Sequence, residues 1–389
     1  MESTLKRTWA EIDLDTLKYN YQKIRDKIEK KVKFLGVVKA DAYGHGSVVV
    51  ARTLEKVGAD YLAVSSIDEA MELRLNGINM PILILGHTPI NQIKRLIKYN
   101  ITQTVSCRAK AHEYSREAAR LGEELKVHIK VDTGMSRLGF LCDKDNFEMG
   151  VNGINETVNL PGLNVEGIFT HFAVSDEIGE ECTLYTKHQF ELFCSVINAV
   201  EKQWGKKFKI RHCSNTGAVV NYPETHLDMV RPGLLLYGYG EFAKELNLKP
   251  VMTLKTNVST IKIYSKGTAI SYGGIYKTDK QTRVGVVPYG YADGFFRSLS
   301  NKYSLMTING PAKVLGKICM DMCMIDLTNN MDVSIGSEIE IFGKRNPIEN
   351  MADMACTIPY EITCAVSKRV PRLYIEDGHI IEKELMLRL

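Results

Sequence analysis

The chain has 389 residues, 44% of them hydrophobic, which is enough to bury a full core and to divide into two domains. Its 50 basic and 46 acidic residues (formal net charge +4) are scattered along the whole length, so no basic stripe marks a nucleic-acid partner or a membrane surface. Met1 to Asp13 carry no long apolar run or cleavage site, and no later stretch approaches a membrane span, so a cytoplasmic protein is expected.

From Phe34 onward, short aliphatic runs alternate with longer amphipathic stretches, the pattern of repeated βα units around a parallel sheet. Eight strands are predicted: Phe34 to Val38, Tyr61 to Val64, Ile82 to Leu85, Thr102 to Val105, Lys126 to Val131, Asn164 to Phe169, Lys209 to Cys213 and Asp228 to Val230. Helical spacing covers Ser47 to Val57, Asp68 to Asn76, Ile90 to Lys98, Ala109 to Leu121 and Leu184 to Trp204. Eight such units predict a (β/α)8 TIM-type barrel over residues 1–246. Beyond it the segments Leu254 to Tyr264, Arg283 to Val287, Met322 to Leu327 and Glu338 to Phe342 read as strands of a separate β-rich domain, 247–389, with residues 1–13 a candidate strand for it. The nine cysteines are odd in number and contain no Cys-x-x-Cys, so reduced thiols are expected. Cys319 and Cys323 have no second Cys or His pair nearby to complete a tetrahedral set, so no metal site is expected.

The first barrel strand runs into Val38-Lys39-Ala40-Asp41-Ala42-Tyr43-Gly44-His45-Gly46, placing a lysine at the carboxyl end, where barrel enzymes carry their active sites. An apolar strand end favours the neutral amine, which can condense with an aldehyde; the segment alone is equally consistent with a lysine snorkelling to solvent. The segment resembles the cofactor-lysine motif of alanine racemases, the fold-type III pyridoxal-phosphate enzymes. That resemblance runs through nearly the whole chain as motifs in family order, and it implies that Lys39 holds pyridoxal 5'-phosphate and that Tyr43 bonds its phosphate.

After the fifth strand, Lys130-Val131-Asp132-Thr133-Gly134-Met135-Ser136-Arg137-Leu138-Gly139 is similar to the family segment whose arginine approaches the cofactor's phenolic oxygen and the substrate carboxylate. Arg137 has the planar fork that suits a carboxylate. Lys130 alternates in phase with His128 and Asp132, which points it into the barrel. It is either paired with a carboxylate such as Asp132 or, as the resemblance implies, carbamylated into an anion that holds Arg137. A lone histidine after the sixth strand, in Thr170-His171-Phe172-Ala173, is ordinarily structural; the family motif makes His171 the link between a catalytic tyrosine and an arginine.

His212-Cys213-Ser214-Asn215-Thr216-Gly217 and Val230-Arg231-Pro232-Gly233-Leu234 follow strands seven and eight, where barrels commonly bind phosphate. Asn215, Thr216, Gly233 and Leu234 are the predicted phosphate contacts, and Arg231 the partner of the ring nitrogen. A guanidinium only donates, so that nitrogen would stay unprotonated and side reactions would be disfavoured.

In the β-rich domain, Ala269-Ile270-Ser271-Tyr272-Gly273-Gly274 resembles the segment holding the second base, which racemisation requires because one side chain cannot reach both faces of a planar carbanion. The resemblance implies that Tyr272 is supplied by the partner subunit of a homodimer with shared active sites. Met320 and Asp321 would contact the substrate carboxylate region, while Tyr291 and Tyr360 would narrow the entrance. The activity implied is interconversion of L- and D-alanine, supplying D-alanine for peptidoglycan. Relatives that accept serine tend to have a smaller polar residue where this chain keeps Tyr360. A serine or broader small amino-acid racemase, a fold-type III decarboxylase and a non-catalytic pyridoxal-phosphate carrier are the alternatives; Arg231 and Tyr272 speak against the decarboxylase, and the β-rich domain against the carrier, which resembles the barrel alone.

Overall fold

The computed structural model describes residues 7–384. They form two compact units, one of Asn20–Ala42 and Ser47–Leu236, the other of 7–19, Tyr43–Gly46 and 237–384.

In the first unit, eight parallel strands follow one another as Lys33–Val37, Tyr61–Val64, Ile82–Ile84, Thr102–Val105, Leu125–Asp132, Leu163–Phe169, Ile210–His212 and Met229–Val230, the last pairing back onto the first. Hydrogen bonds from the Asp228 N–H to the Arg211 C=O (3.0 Å) and from the Arg231 N–H to the Ser214 C=O (2.9 Å) bridge strands seven and eight, nearly closing the barrel. Helices cover the outer side of the strands, so most strand residues are buried even where they are polar, as at Thr102, Gln103 and Thr104. At Gly36 on the first strand a Cβ would lie 2.7 Å from Leu54 Cδ1, so the glycine lets the helix Ser47–Lys56 pack closely. The predicted strands match these within a residue or two. Unanticipated are the helices Leu14–Arg25 and Phe147–Val158 and a two-residue strand, Phe140–Leu141, beside the fifth barrel strand.

The other unit is built on a ten-stranded sheet, in the order Thr260–Tyr264, Thr282–Val287, Cys323–Asp326, Gly310–Leu315, Ser304–Thr307, Glu338–Phe342, Met252–Asn257, Thr8–Asp13, Arg372–Glu376, His379–Glu384. Thr8–Asp13 pairs antiparallel with Met252–Asn257 and parallel with Arg372–Glu376; residues 1–6 of the predicted N-terminal strand lie outside the described residues. The predicted single strand Leu254 to Tyr264 is two strands. Val258 N–H bonds to the Ser337 C=O and Ser259 N–H to the Val286 C=O, sending the halves to different neighbours. All nine cysteines are free thiols, and among the described residues no helix is long and apolar enough to cross a membrane.

Candidate active site

The first barrel strand leads into one helical turn, Lys39–Gly44, and that turn is left-handed: φ is 52° at Ala40, 55° at Asp41, 51° at Ala42 and 53° at Tyr43. For L-residues this conformation is costly, so neighbours must hold it. Glu69 Oε1 accepts the Ala40 N–H (2.8 Å), Asp41 Oδ1 accepts the Ser47 N–H (2.8 Å), and the Ala42 N–H donates to the Val38 C=O (2.9 Å). The second Glu69 oxygen accepts from the Ser65 N–H (2.7 Å) and hydroxyl (2.9 Å), anchoring the clamp to the end of the second strand. The turn leaves Lys39 half-buried at the carboxyl end of the barrel.

Facing it is a buried cationic cluster. Arg231, 4% exposed, donates from Nη1 to His212 Nδ1 (3.0 Å) and from Nη2 to the Thr170 C=O (2.9 Å), the Cys213 C=O (3.0 Å) and His171 Nδ1 (3.3 Å). Burial pulls it down to about 10. His171 is pressed well below the ordinary imidazole value by burial, then by Arg231, Lys130, Arg137 and Lys39, so all five side chains lie within electrostatic reach. The neutral His171 accepts at Nδ1 from Arg231 and therefore carries its proton on Nε2. Lys130 is 5% exposed, donates to the Val131 C=O (2.8 Å) and stands 5.4 Å from the centroid of the Phe169 ring. Burial and then Arg231 push its ammonium down to about 7. Among the described residues no carboxylate pairs with Lys130, and no carboxylate hydrogen-bonds Arg231 or His171.

Asp132, the alternative partner of Lys130, is otherwise engaged. Its carboxylate accepts the backbone N–H groups of Gly134 (3.0 Å), Ser136 (3.0 Å) and Arg137 (3.1 Å), curling the loop after the fifth strand around itself. The loop is tied further by the Tyr185 hydroxyl, donating to the Gly134 C=O (2.8 Å), and by a Thr133–Thr170 hydroxyl pair (2.8 Å). Arg137 itself is exposed, and its guanidinium has no hydrogen bond among the described residues.

At the opposite rim, Asn215 caps the short helix Thr216–Asn221, its Oδ1 accepting the Ala218 N–H (3.3 Å) and the Ser175 hydroxyl (2.5 Å). Thr216 Oγ1 accepts the Gly233 N–H (3.1 Å), which joins the loops after strands seven and eight and leaves the hydroxyl proton free to donate. Leu234, next in the chain, starts a short helical turn.

In the β-rich unit, Tyr43 packs against Tyr360 (ring centroids 6.0 Å) and Tyr237 (5.3 Å), and burial pushes its phenol up. Tyr272 is 70% exposed, in a turn between Ser271 (φ 66°) and Gly273 (φ 71°). With Ser271, Cys319, Met320 and Asp321 it lines a cavity of about 480 Å³. The Tyr291 and Ala292 N–H groups donate to the carbonyls of Cys319 and Met320 (both 3.0 Å), supporting the Met320–Asp321 loop. Arg369 bridges Asp321 (2.8 Å) to the buried Asp293 (2.7 Å), which also binds Arg7 (2.8 Å).

Sequence reasoning gave no role to Glu69, Asp293, Arg369, Ser175 or His212. Side chains that hold other side chains have no periodicity of their own; His212, quoted beside the phosphate motif, and Asp293, in the segment around Tyr291, stood in view without a role.

Sequence comparison agrees with this geometry. The profile described as alanine racemase, N-terminal domain, matches residues 12–241, and the one for the alanine racemase C-terminal domain matches 251–374. The alanine racemase of Clostridium tetani is 46% identical over 386 residues, covering 97% of both chains, and alanine racemase 1 of Clostridium acetobutylicum is 44% identical, covering 97% of this chain and 98% of the other. Among solved structures, the alanine racemase of Clostridium difficile 630 superposes with a TM-score of 0.91 at 38% identity over 99% of this chain and 100% of that one. That of Bacillus anthracis with bound L-Ala-P gives 0.88 at 32% identity over 98% of each. Barrel, β-rich unit and similarity along the full length together show that the chain belongs to the alanine racemase family, isomerases acting on amino acids.

Proposed function

We propose that the chain interconverts L- and D-alanine with pyridoxal 5'-phosphate, using Lys39 and Tyr272 as bases on opposite faces of the substrate. The observation that carries this reading is Arg231, held by four hydrogen bonds at the carboxyl end of the barrel in a cluster of cations and neutral histidines to which no described carboxylate is hydrogen-bonded. The donor set fits the cofactor. A guanidinium that only donates suits an acceptor ring nitrogen, the free proton of Thr216 suits a phosphate, and the excess of positive charge suits an anionic group.

Lys39 would hold the aldehyde carbon, Asn215, Thr216, Gly233 and Leu234 the phosphate with Tyr43 and Tyr360, and Arg231 the ring nitrogen. When bound, the cofactor draws electrons from the α-carbon of an attached amino acid and so acidifies its C–H. Lys39 would exchange that proton on one face and Tyr272, from the partner subunit of a homodimer, on the other. His171, with its proton on Nε2, would donate to the phenolic oxygen of Tyr272 and lower the cost of its charged form. Arg137 would grip the substrate carboxylate with Met320 and Asp321 beside it. The amine of Lys130, which burial and Arg231 push towards its neutral form, would take up carbon dioxide and become an anion that steadies Arg137.

The Clostridium difficile relative in complex with cycloserine and the Bacillus anthracis relative with bound L-Ala-P favour an alanine-sized site here, and Tyr360 is the residue proposed to enforce it. The product D-alanine would supply peptidoglycan, in the cytoplasm. The test is D-alanine formation from L-alanine by the purified protein with added cofactor, compared with D-serine formation from L-serine. Turnover of alanine that is lost in Lys39→Ala and in Tyr272→Phe, the latter still yellow, is the expected result. Carbon dioxide release without loss of optical rotation would reject it.

A further inference from the structure

Arg231 is the near end of a polar chain that passes through the barrel. His212 Nε2 lies 2.9 Å from His128 Nδ1, His128 Nε2 lies 3.7 Å from Glu166 Oε2, and that oxygen accepts the Tyr61 hydroxyl at 2.9 Å, with Thr102 Oγ1 3.2 Å beyond. The proton positions follow from one end. A guanidinium cannot accept, so His212 Nδ1, 3.0 Å from Arg231 Nη1, is an acceptor and its proton sits on Nε2. His212 then donates to His128 Nδ1, which leaves the His128 proton on Nε2, aimed at the carboxylate of Glu166.

We propose that Glu166 is a positioning residue: its anion, 3.7 Å from a His128 Nε2 that has no hydrogen-bond partner among the described residues, draws the His128 proton to that nitrogen, which favours the tautomers of His128 and His212 that keep Arg231 aimed at the ring-nitrogen site. The proposal rests on the reading of Arg231 given above for what the guanidinium faces. Two local features place the carboxylate there. The pairing of strands five and six shifts register, with Val127 opposite Val165 but His128 opposite Gly167, so Glu166 is the extra residue of a bulge, a device that re-aims a side chain. Gly167 makes room for the imidazole: a Cβ there would lie 2.7 Å from two of the His128 ring atoms. Both histidines are fully buried and pressed towards neutrality, foremost by burial. His128 beside it and the Tyr61 hydrogen bond hold Glu166 down to about 2 against burial, so it is the anion at the end of a chain whose other end is a cation. At 3.7 Å the His128–Glu166 contact is a charge–dipole contact rather than a hydrogen bond, so the negative charge of Glu166 is what offsets the burial of the otherwise unpartnered His128 Nε2.

Glu166→Gln keeps the shape and removes that sense. The neutral amide no longer draws a proton to His128 Nε2, and with its NH2 turned towards that nitrogen it favours the reversed tautomers, which set an N–H of His212 against Arg231 Nη1. In holoenzyme labelled with ring-15N histidine, wild-type His128 and His212 are expected to carry their protons on Nε2. In Glu166→Gln the His212 signal should move to the Nδ1-protonated form, the absorption maximum of the bound cofactor should shift, and kcat should fall roughly tenfold with KM within about twofold. Glu166→Asp, still an anion, should keep the wild-type tautomers. A wild-type His212 protonated on Nδ1 or on both nitrogens overturns the proposal whether or not any variant folds, as does a folded Glu166→Gln with unaltered tautomers and spectrum. A wild-type protein that neither binds cofactor nor racemises alanine sinks the functional reading instead, and the tautomer measurement still decides this one.

Discussion

The Asp132 carboxylate accepts the backbone N–H of Arg137 at 3.1 Å, the last of three amides it gathers from one loop. Arg137, the proposed grip on the substrate carboxylate, is thus held by its backbone while its guanidinium stays free of protein partners among the described residues. Asp132→Ala should cost about 3 kcal/mol of stability, read as a lower denaturant midpoint. It should also raise KM for alanine about tenfold, more than it lowers kcat. Asp132→Asn, which keeps one acceptor, should fall between.

Lys130 sets a pH dependence with a definite sign. Its ammonium, normally near 10.5, is pressed down to about 7. Below pH 7 the folded state carries a buried charge in full; between 7 and 10.5 the folded amine is neutral while the unfolded one is charged, so stability rises with pH across that window. In protein freed of carbon dioxide, Lys130→Met should therefore be more stable than the parent at pH 6, with the gap narrowing towards pH 10. With 13C-bicarbonate present, a carbamate signal that Lys130→Met lacks should grow between pH 6 and 8.

Removing Arg231 strands acceptors at Thr170, Cys213, His171 and His212 together. Arg231→Ala should lose about 3 to 5 kcal/mol, measured by chemical unfolding of the apoprotein. Arg231→Lys, which cannot reach all four, should recover less than half of that loss.

The carboxylate of Asp293 is fully buried between Arg7 and Arg369, each only partly exposed. Asp293→Ala leaves both guanidinium groups without it and lets go of the Gly290 N–H, which Oδ2 accepts at 2.9 Å. A loss of about 3 kcal/mol is expected. Because Arg369 also holds Asp321, alanine KM should rise in Asp293→Ala while borohydride reduction at Lys39 proceeds as in the parent.

Much of the barrel was legible because most of its strands are short segments rich in aliphatic residues with turn residues between them, although Thr102–Val105 is mostly polar. The helix Leu14–Arg25 was passed over although Leu14, Leu17, Tyr21 and Ile24, all buried, recur three and four apart; it precedes the first barrel strand, where no alternation had begun. Leu254 to Tyr264 read as one strand because its composition stays strand-like through Val258 and Ser259, while the break depends on which distant strands those residues bond. In the candidate site, the barrel groups proposed to carry chemistry stood out by residue type at strand ends. The left-handed turn after Lys39 did not, since Ala40, Asp41, Ala42 and Tyr43 are not glycine and nothing in the one-dimensional pattern marks the Glu69 clamp. Nor did the bulge at Glu166, because one additional residue in a strand has no compositional signature.

The left-handed turn sets heat tolerance against catalytic fitness. Glycine would relax the backbone at Ala40 or Ala42 by about 1 kcal/mol each, so a library screened only for survival at high temperature should enrich glycine there. The same replacements widen the range of directions open to the neighbouring amine, and the hardier clones should be the slower catalysts. Engineers seeking a durable version of this protein should leave those two alanines alone.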